Sequence, residues 1–371
     1  MARRELKSGF TTGTAAAAAA KAAVMLAFGQ SADQVEVSLP EGGKVLSIPV
    51  AVAQRKKSGH CEAVVVKDAG DDPDVTNKAR IKAEVQLLPA EADGACLEIC
   101  GGQGVGLVTK AGLAVEPGKP AINPVPREMI CRAVRQALAW VAPEEHFAVK
   151  VTISVDEGER LARYTLNPRL GVMGGISILG TSGLVKPFSH EAYTQTIDVA
   201  LSVAQAAGHQ EVVLTTGGKS EKRAMILRPD LNSAAFVQIA DFFAYSLRAC
   251  AQAGMHRVGL VSFFGKAVKQ AAGMEYTHAH KAAMDLPRLA QWLGGAGLET
   301  GTCQEIAQAN TARHALDILR LVGRLALVSE VGKRMLASAR EFAGPSVDIW
   351  AIIIDYNGAG LYGGNQPAVS S

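Results

Sequence analysis

Beyond residue 189 the chain alternates apolar runs of strand length with stretches of helix length, and this rhythm constrains the fold more than any other feature. Ser189 can cap a helix over 189–207; strands are predicted over 211–216 and 256–264, with a helix over 233–253 between them. Helices around 281–293, 303–322 and 325–342 then precede a last apolar strand over 347–355. Strands covered by helices on both faces are apolar along nearly their whole length, so the pattern predicts a mostly parallel, Rossmann-like, three-layer domain. Ligands in such a sheet bind outside the carboxyl ends of the strands.

The first half has another texture. A helix capped by Thr12 or Thr14 should run to about Phe28, where Gly29 ends it, because alanine dominates residues 15–23 and is the best helix former. Short β-branched or alternating segments follow over 35–39, 45–52, 61–67, 81–88 and 95–99. A helix over 124–141, with Asn123 as cap and Pro124 in its first turn, leads into a strand over 147–155. These elements predict an α+β domain over 1–170, followed by the α/β domain over 171–357 and a flexible tail over 358–371. The 371 residues exceed what one hydrophobic core usually supports, which also favours two domains.

Composition excludes several classes of function. The 38 basic and 35 acidic side chains nearly balance, and aromatics make up 5%, so neither the positive field nor the stacking platform of a nucleic-acid binder is present. Lys21 and the early threonines interrupt the apolar start, which therefore reads as a helix of a soluble protein rather than as a signal peptide. No other stretch has the length of a membrane span. Six cysteines without zinc or redox spacing fit reduced thiols in the cytoplasm, and no metal site is expected.

Several motifs can carry chemistry. Gly9 to Thr14 precede a helix, where free N–H groups and hydroxyls such as those of Thr11 and Thr12 either hold an anion or simply cap the helix. Lys67 to Asp74 place four carboxylates, including Asp68, Asp71 and Asp72, on a loop that serves a ribose contact, an acid/base pair or, weakest of the three, metal coordination, or is an ordinary turn. The run Gly101, Gly102, Gly104 and Gly106 permits close backbone approach to a ligand, though its spacing also suits a tight turn between strands. Thr216, Gly217 and Gly218 follow a predicted parallel strand, but Val213 stands where a phosphate loop needs its first glycine. They sit where an adenosyl group would bind, or form a plain connection. His278 and His280 lack metal-ligand partners at suitable spacing, and Arg127, Arg132, Arg163 and Arg169 can each pair with a carboxylate or remain solvated.

Taken in order, the GFTTGT run from Gly9, KDAGDDPDVT from Lys67, GGQGVGLVTKAGL from Gly101, GKPAINPVPREMI from Gly118 and NPRLGVMGGISILGTSG from Asn167 resemble the cobalt-precorrin-5B C1-methyltransferases. The likeness is looser toward the carboxyl end, resting on Gly265 to Lys269 and on Thr277-His278. It implies methyl transfer from S-adenosylmethionine to ring carbon 1 of a cobalt-bearing tetrapyrrole, with the cobalt arriving in the substrate. Such a reaction depends on alignment more than on strong acid/base groups. The implied substrate is an apolar ring rimmed by carboxylates, for which Thr11, Thr12, Lys119, Arg127 and Arg169 are the expected contacts. The cosubstrate is expected near Thr216, Gly217 and Gly218, or near Gly101 to Gly106, with Asp68, Asp72 and His278 as candidate catalytic groups. Ala15 and Phe263 stand where the family often has cysteine and histidine, so no thiolate or imidazole chemistry at those positions applies here. Two other readings remain open: a nucleotide-dependent transferase acting on a carboxylate, and a corrinoid carrier without catalysis. Self-association into a homo-oligomer also stays open.

Overall fold

The structure, a computed structural model, describes residues 6–90, 96–278 and 284–365. It divides into two compact units, Met1–Ser189 and His190–Ser371, and its architecture is mixed α+β with several sheets.

In the first unit, five strands lie in the order Val52–Arg55, Cys61–Val66, Arg80–Pro89, Phe147–Val155 and Leu97–Gly101. Neighbours are antiparallel except the last pair, which is parallel and makes Leu97–Gly101 an edge strand. The strand alternation is visible in burial: Ile81, Ala83 and Val85 join Val149, Val151 and Ile153 in the core. The helix Thr12–Ala27 lies on this sheet and against the helix Pro124–Val141. All six alanines from Ala15 to Ala20 are 0% exposed, so this helix is enclosed around its circumference. Methyl side chains allow both neighbours to approach its backbone, which larger residues would prevent.

The helix is capped by Thr11, whose Oγ accepts the Thr14 N–H at 3.2 Å, rather than by Thr12 or Thr14. Those two hydroxyls are committed elsewhere. Thr14 donates to the Gly183 carbonyl at 2.7 Å, and Thr12 accepts the Leu179 N–H at 2.9 Å. Asn123 precedes the second helix without making a side-chain cap bond.

The expected division near residue 170 moves to Ser189. Val172–Met173 pairs with Leu107–Val108, Gly175–Ile176 with Gly104–Val105, and Leu184–Val185 with Gly9–Phe10. Two-residue ladders have too little length to show a strand period, so this return of the chain to the first unit leaves no mark in the hydrophobic pattern.

The second unit is built on strands in the order Phe236–Gln238, Glu211–Thr215, Arg257–Phe263, Asp348–Ile354 and Gly360–Gly364. The first four run parallel, while Gly360–Gly364 returns antiparallel along the edge. Val212, Leu214, Val258, Leu260, Ile349 and Ile353 are fully buried, as expected of a sheet covered on both faces. Three expectations need correction. Residues 233–253 hold a short 3-10 turn, the strand Phe236–Gln238 and the helix Phe243–Gln252 rather than one helix. Residues 303–322 hold two helices, Thr300–Ala307 and Ala312–Leu321. The supposed tail contributes the edge strand, because Tyr362 and Gly363 pair with Ile353 and Ile352. The expected helix start at 281 and His280 lie outside the described residues. No described helix is long and apolar enough to cross a membrane.

The winding direction reverses between Glu211–Thr215 and Arg257–Phe263, since the chain adds a strand on one side of Glu211–Thr215 and then continues on the other. Diverging connections at such a point leave a crevice at the carboxyl ends.

Candidate functional site

Four of the residues singled out in the first unit line one cleft of about 830 Å³: Gly101, Gly106, Lys119 and Arg127. Its walls are the edge strand Leu97–Gly101, the turn through Val105 to Leu107, and the start of the helix Pro124–Val141. Arg127 is half-buried, and its guanidinium is oriented by the carbonyls of Ile122 at 3.1 Å and Ile99 at 3.4 Å. A guanidinium has five N–H donors, so this anchoring leaves others for an anion. Lys119, which is exposed, lines the same cleft. Leu107, which also lines the cleft, is 48% exposed, and its cross-strand partner Met173 is 50% exposed. Cys100 also faces the cleft, but burial and the adjacent Glu98 carboxylate push its thiol up, which disfavours a thiolate nucleophile.

The glycines here serve close packing as well as access. A Cβ on Gly101 would meet Pro120, and one on Gly102 would stand 2.3 Å from the Ser154 hydroxyl. Gly104, at φ +77°, would bring a Cβ within 2.0 Å of the Val155 carbonyl, and Gly106 would collide with Val172. Gly101 and Gly106 reach the cleft, whereas Gly102 and Gly104 seat the crossing of two backbone segments.

The acidic loop is largely self-bound. Lys67, 2% exposed, pairs with Asp74 and donates to the Thr76 hydroxyl at 2.6 Å. Burial would raise the Asp74 carboxyl, but the Lys67 ammonium and the Thr76 donors outweigh it and hold it below the usual carboxylate range. Asp71 accepts the Lys7 N–H at 2.7 Å. Asp72 accepts the N–H of Phe188 at 2.9 Å and so holds that residue at its left-handed φ of +54°. Asp68 pairs with the Lys7 ammonium at 2.9 Å, which lowers its carboxyl, and it faces a second cavity of about 560 Å³ between Phe10, Ile48, Lys78 and Leu184. A carboxylate held low is suited to contact or charge compensation rather than to general-base work.

Other expected contacts lie apart from these cavities. Thr11 and Thr12 are 6% and 3% exposed, and their hydroxyls tie the helix start to itself and to residues 177–179. Arg169 sits on the short helix Asn167–Leu170, where its carbonyl accepts the Lys110 ammonium at 3.3 Å, and it is not among the lining residues of the larger cleft.

In the second unit Thr216, Gly217 and Gly218 close the strand Glu211–Thr215 and open the helix Gly218–Leu227. Gly217 adopts φ +153°, and neither glycine has an atom closer than 4.0 Å to its would-be Cβ. Backbone at this strand end therefore faces open space. Of the groups around it, His278, Lys266 and Thr277 were named from the sequence, whereas Glu221, Tyr193, Phe242, Tyr276 and Asp241 were not. Glu221, in the first turn of that helix, accepts from Gln238 at 2.8 Å. Tyr193 stacks on Phe242 at 5.1 Å; burial first, then the Asp241 and Glu221 carboxylates, push its phenol up. Tyr276 lies 5.1 Å from Phe242, 4.8 Å from His190 and 6.0 Å from His278, so His278 belongs to an aromatic group. Lys266 pairs with Asp241, and Thr277 donates to the same Asp241 oxygen at 3.2 Å. Lys266 and Thr277 lie in the two carboxyl-end motifs of the resemblance, the one signal by which this cluster was accessible. No group of three or more metal-ligating side chains occurs among the described residues.

Comparison with known proteins decides the family. The CbiD family model matches residues 1–187, and the model of the CbiD C-terminal domain matches residues 276–364. The chain is 46% identical over 366 residues to the cobalt-precorrin-5B C(1)-methyltransferase of Nitratidesulfovibrio vulgaris, covering 97% of this chain and 93% of that relative. The chain belongs to the CbiD family. The cobalt-precorrin-5B C(1)-methyltransferase of Rubrobacter xylanophilus is 42% identical over 356 residues, covering 95% and 90% of the two chains. A solved cobalamin biosynthesis protein from Archaeoglobus fulgidus is 28% identical and covers 70% of this chain and 78% of its own, at a TM-score of 0.39. The five ordered motifs between Gly9 and Gly183 fall inside the first matched segment and Thr277-His278 inside the second, whereas Gly265 to Lys269 lie between the two.

Proposed function

We propose that this CbiD-family chain transfers the methyl group of S-adenosylmethionine to ring carbon 1 of cobalt-precorrin-5B, giving cobalt-precorrin-6A. The observation that carries the reading is the 46% identity, over 97% of the chain, to a relative bearing that activity in its name. A carrier or a nucleotide-dependent transferase has no comparable support. The setting proposed is the cytoplasm, and the cobalt belongs to the substrate.

The substrate fits the larger cleft of the first unit by chemistry. A flat macrocycle with acidic side chains needs an apolar surface flanked by cations, and Leu107, Ile99 and Val115 with Arg127 and Lys119 supply both. Arg127, already oriented by two carbonyls, provides a planar fork for one carboxylate. Lys119 provides a mobile point charge for another. Of the three candidate catalytic residues, Asp68 pairs with Lys7 and lines a cavity other than the substrate cleft, so the role proposed for it is contact or charge compensation in that cavity.

We read the second unit as Rossmann-like and assign the cosubstrate to its carboxyl-end crevice. The donor set suits the cosubstrate: open backbone at Gly217 and Gly218, aromatic faces at Tyr193, Phe242 and Tyr276, and carboxylates at Glu221 and Asp241. Adenosylmethionine supplies an electrophilic methyl on a positively charged sulfur. The protein then has to hold donor and acceptor carbons in line and keep water out, because no strong acid or base is needed to activate the leaving thioether. Methyl addition carries positive charge into the macrocycle, so one proton must leave it for the product to keep its charge.

Anaerobic incubation with cobalt-precorrin-5B and methyl-labelled adenosylmethionine tests this reading. The expected product is one methyl heavier, with the label on ring carbon 1. Saturable corrinoid binding without label transfer would leave the carrier reading instead. Arg127→Ala should raise the substrate KM roughly tenfold or more while leaving adenosylmethionine affinity unchanged.

A further inference from the structure

The carboxyl-end cluster of the second unit carries more positive charge than its own contacts offset. Lys266 and Lys269 stand three residues apart on the helix Phe264–Ala271 and so share one face. Both ammonium groups converge on Thr277: Lys266 reaches its hydroxyl at 3.3 Å and its carbonyl at 3.4 Å, and Lys269 reaches the carbonyl at 3.2 Å. Among the described residues their ion-pair contacts include one carboxylate, Asp241, which binds Lys266. Asp241 is itself oriented, because it accepts the Thr277 hydroxyl at 3.2 Å while its carbonyl accepts the Thr277 N–H at 3.0 Å. Lys269 is 7% exposed, and burial together with the Lys266 ammonium holds it below the usual lysine range.

Two partly buried cations facing one carboxylate leave room for a second anion, since an uncompensated buried charge is costly. The cluster is not sealed: the Lys266 and Asp241 side chains retain 29% and 17% of their exposure. Its polar surface therefore presents a cation pair beside an anion. That pattern is complementary to an α-amino acid zwitterion, whose carboxylate and ammonium are held a short fixed distance apart. Phe242 directly follows Asp241 and Tyr276 directly precedes Thr277, so the aromatic group borders the same spot.

We propose that Lys266, Lys269 and Asp241 form the subsite for the amino-acid end of adenosylmethionine, with its α-carboxylate against the two ammonium groups and its α-ammonium against Asp241. The subsite rests on the reading that this chain uses adenosylmethionine, and it assigns the methionine end where that reading assigns only the crevice. The adenosyl end then lies toward the aromatic group and the open Thr216 to Gly218 backbone.

Calorimetric titration of the full chain with S-adenosylhomocysteine and with 5′-methylthioadenosine separates the two ends, because the second compound keeps the adenosyl thioether and lacks the amino acid. Lys266→Met and Lys269→Met should each weaken adenosylhomocysteine roughly tenfold to a hundredfold and leave methylthioadenosine within about twofold, with Lys266→Arg restoring most of the loss. Circular dichroism and melting of each variant establish that it is folded. If folded Lys266→Met binds adenosylhomocysteine as the parent does, or loses both ligands equally, the subsite is wrong while the functional reading stands. If the parent chain binds neither adenosylmethionine nor adenosylhomocysteine, the functional reading fails and the subsite fails with it.

Discussion

The molecule contains the same trio of residue types twice, and the two copies behave differently. In the first unit Lys67, Asp74 and Thr76 lie within one loop, the lysine is 2% exposed, and one carboxylate meets one ammonium. In the second unit Lys266, Asp241 and Thr277 come from three separate segments, the lysine keeps 29% of its side-chain exposure, and Lys269 adds another positive charge. A closed, balanced trio satisfies itself and has nothing to offer a ligand. An open trio with surplus charge is incomplete, and that incompleteness is what marks it for binding. A buried lysine beside an aspartate is therefore informative only after its charges have been counted and its solvent access measured.

The contrast can be broken most directly at Lys67. Lys67→Met removes a fully buried ammonium and leaves the half-buried Asp74 without its partner, and it should cost about 2–4 kcal/mol of stability, measured by urea denaturation; a change below about 1 kcal/mol would show that the loop is not tied by this pair. Acid should act at the same place. Because the folded Asp74 carboxyl is held below its ordinary range, its contribution is fully present above roughly pH 4 and is lost as the pH falls through the folded value. Urea midpoints followed downward from pH 6 should drop less steeply in Asp74→Asn than in the parent, and parallel curves would remove the assignment. Lys266→Met should cost less than Lys67→Met, about 1–2 kcal/mol, since the Lys266 ammonium is part-exposed and Asp241, left at 17% exposure, keeps the Thr277 donors, even though ligand affinity falls. The smallest effect on stability is expected at Gly218. Its would-be Cβ meets open space at the start of a helix, so Gly218→Ala should be neutral or stabilising by up to about 1 kcal/mol. A lowered affinity for adenosylhomocysteine in that variant would then report ligand contact alone. By contrast, destabilisation of the ligand-free chain would show that the glycine serves packing, as Gly104 does.

Legibility differed between the units for a physical reason. The strands Glu211–Thr215, Arg257–Phe263 and Asp348–Ile354 are buried on both faces, so their apolar runs announce them, and the parallel sheet follows from their alternation with helices. Phe236–Gln238 escaped because three residues between a turn and a helix carry no period, and the edge strand Gly360–Gly364 escaped because its glycines mimic a loop. In the candidate substrate cleft, Arg127 and Lys119 were recognisable as cations, but only the chain's path brings them to Gly101 and Gly106. Thr11 and Thr12 were legible as a hydroxyl-bearing helix start; what their hydroxyls bind depends on residues 177–183, far away in sequence.

By itself the sequence determined the family and the parallel character of the second sheet, because motifs and apolar periodicity are local properties written along the chain. The tertiary structure alone decided where the first unit ends, which lysine is sealed and which is open, and that Asp241, Lys266, Lys269 and Thr277 meet. Burial and charge balance are sums over neighbours in space, and those neighbours are set by the fold rather than by position in the chain.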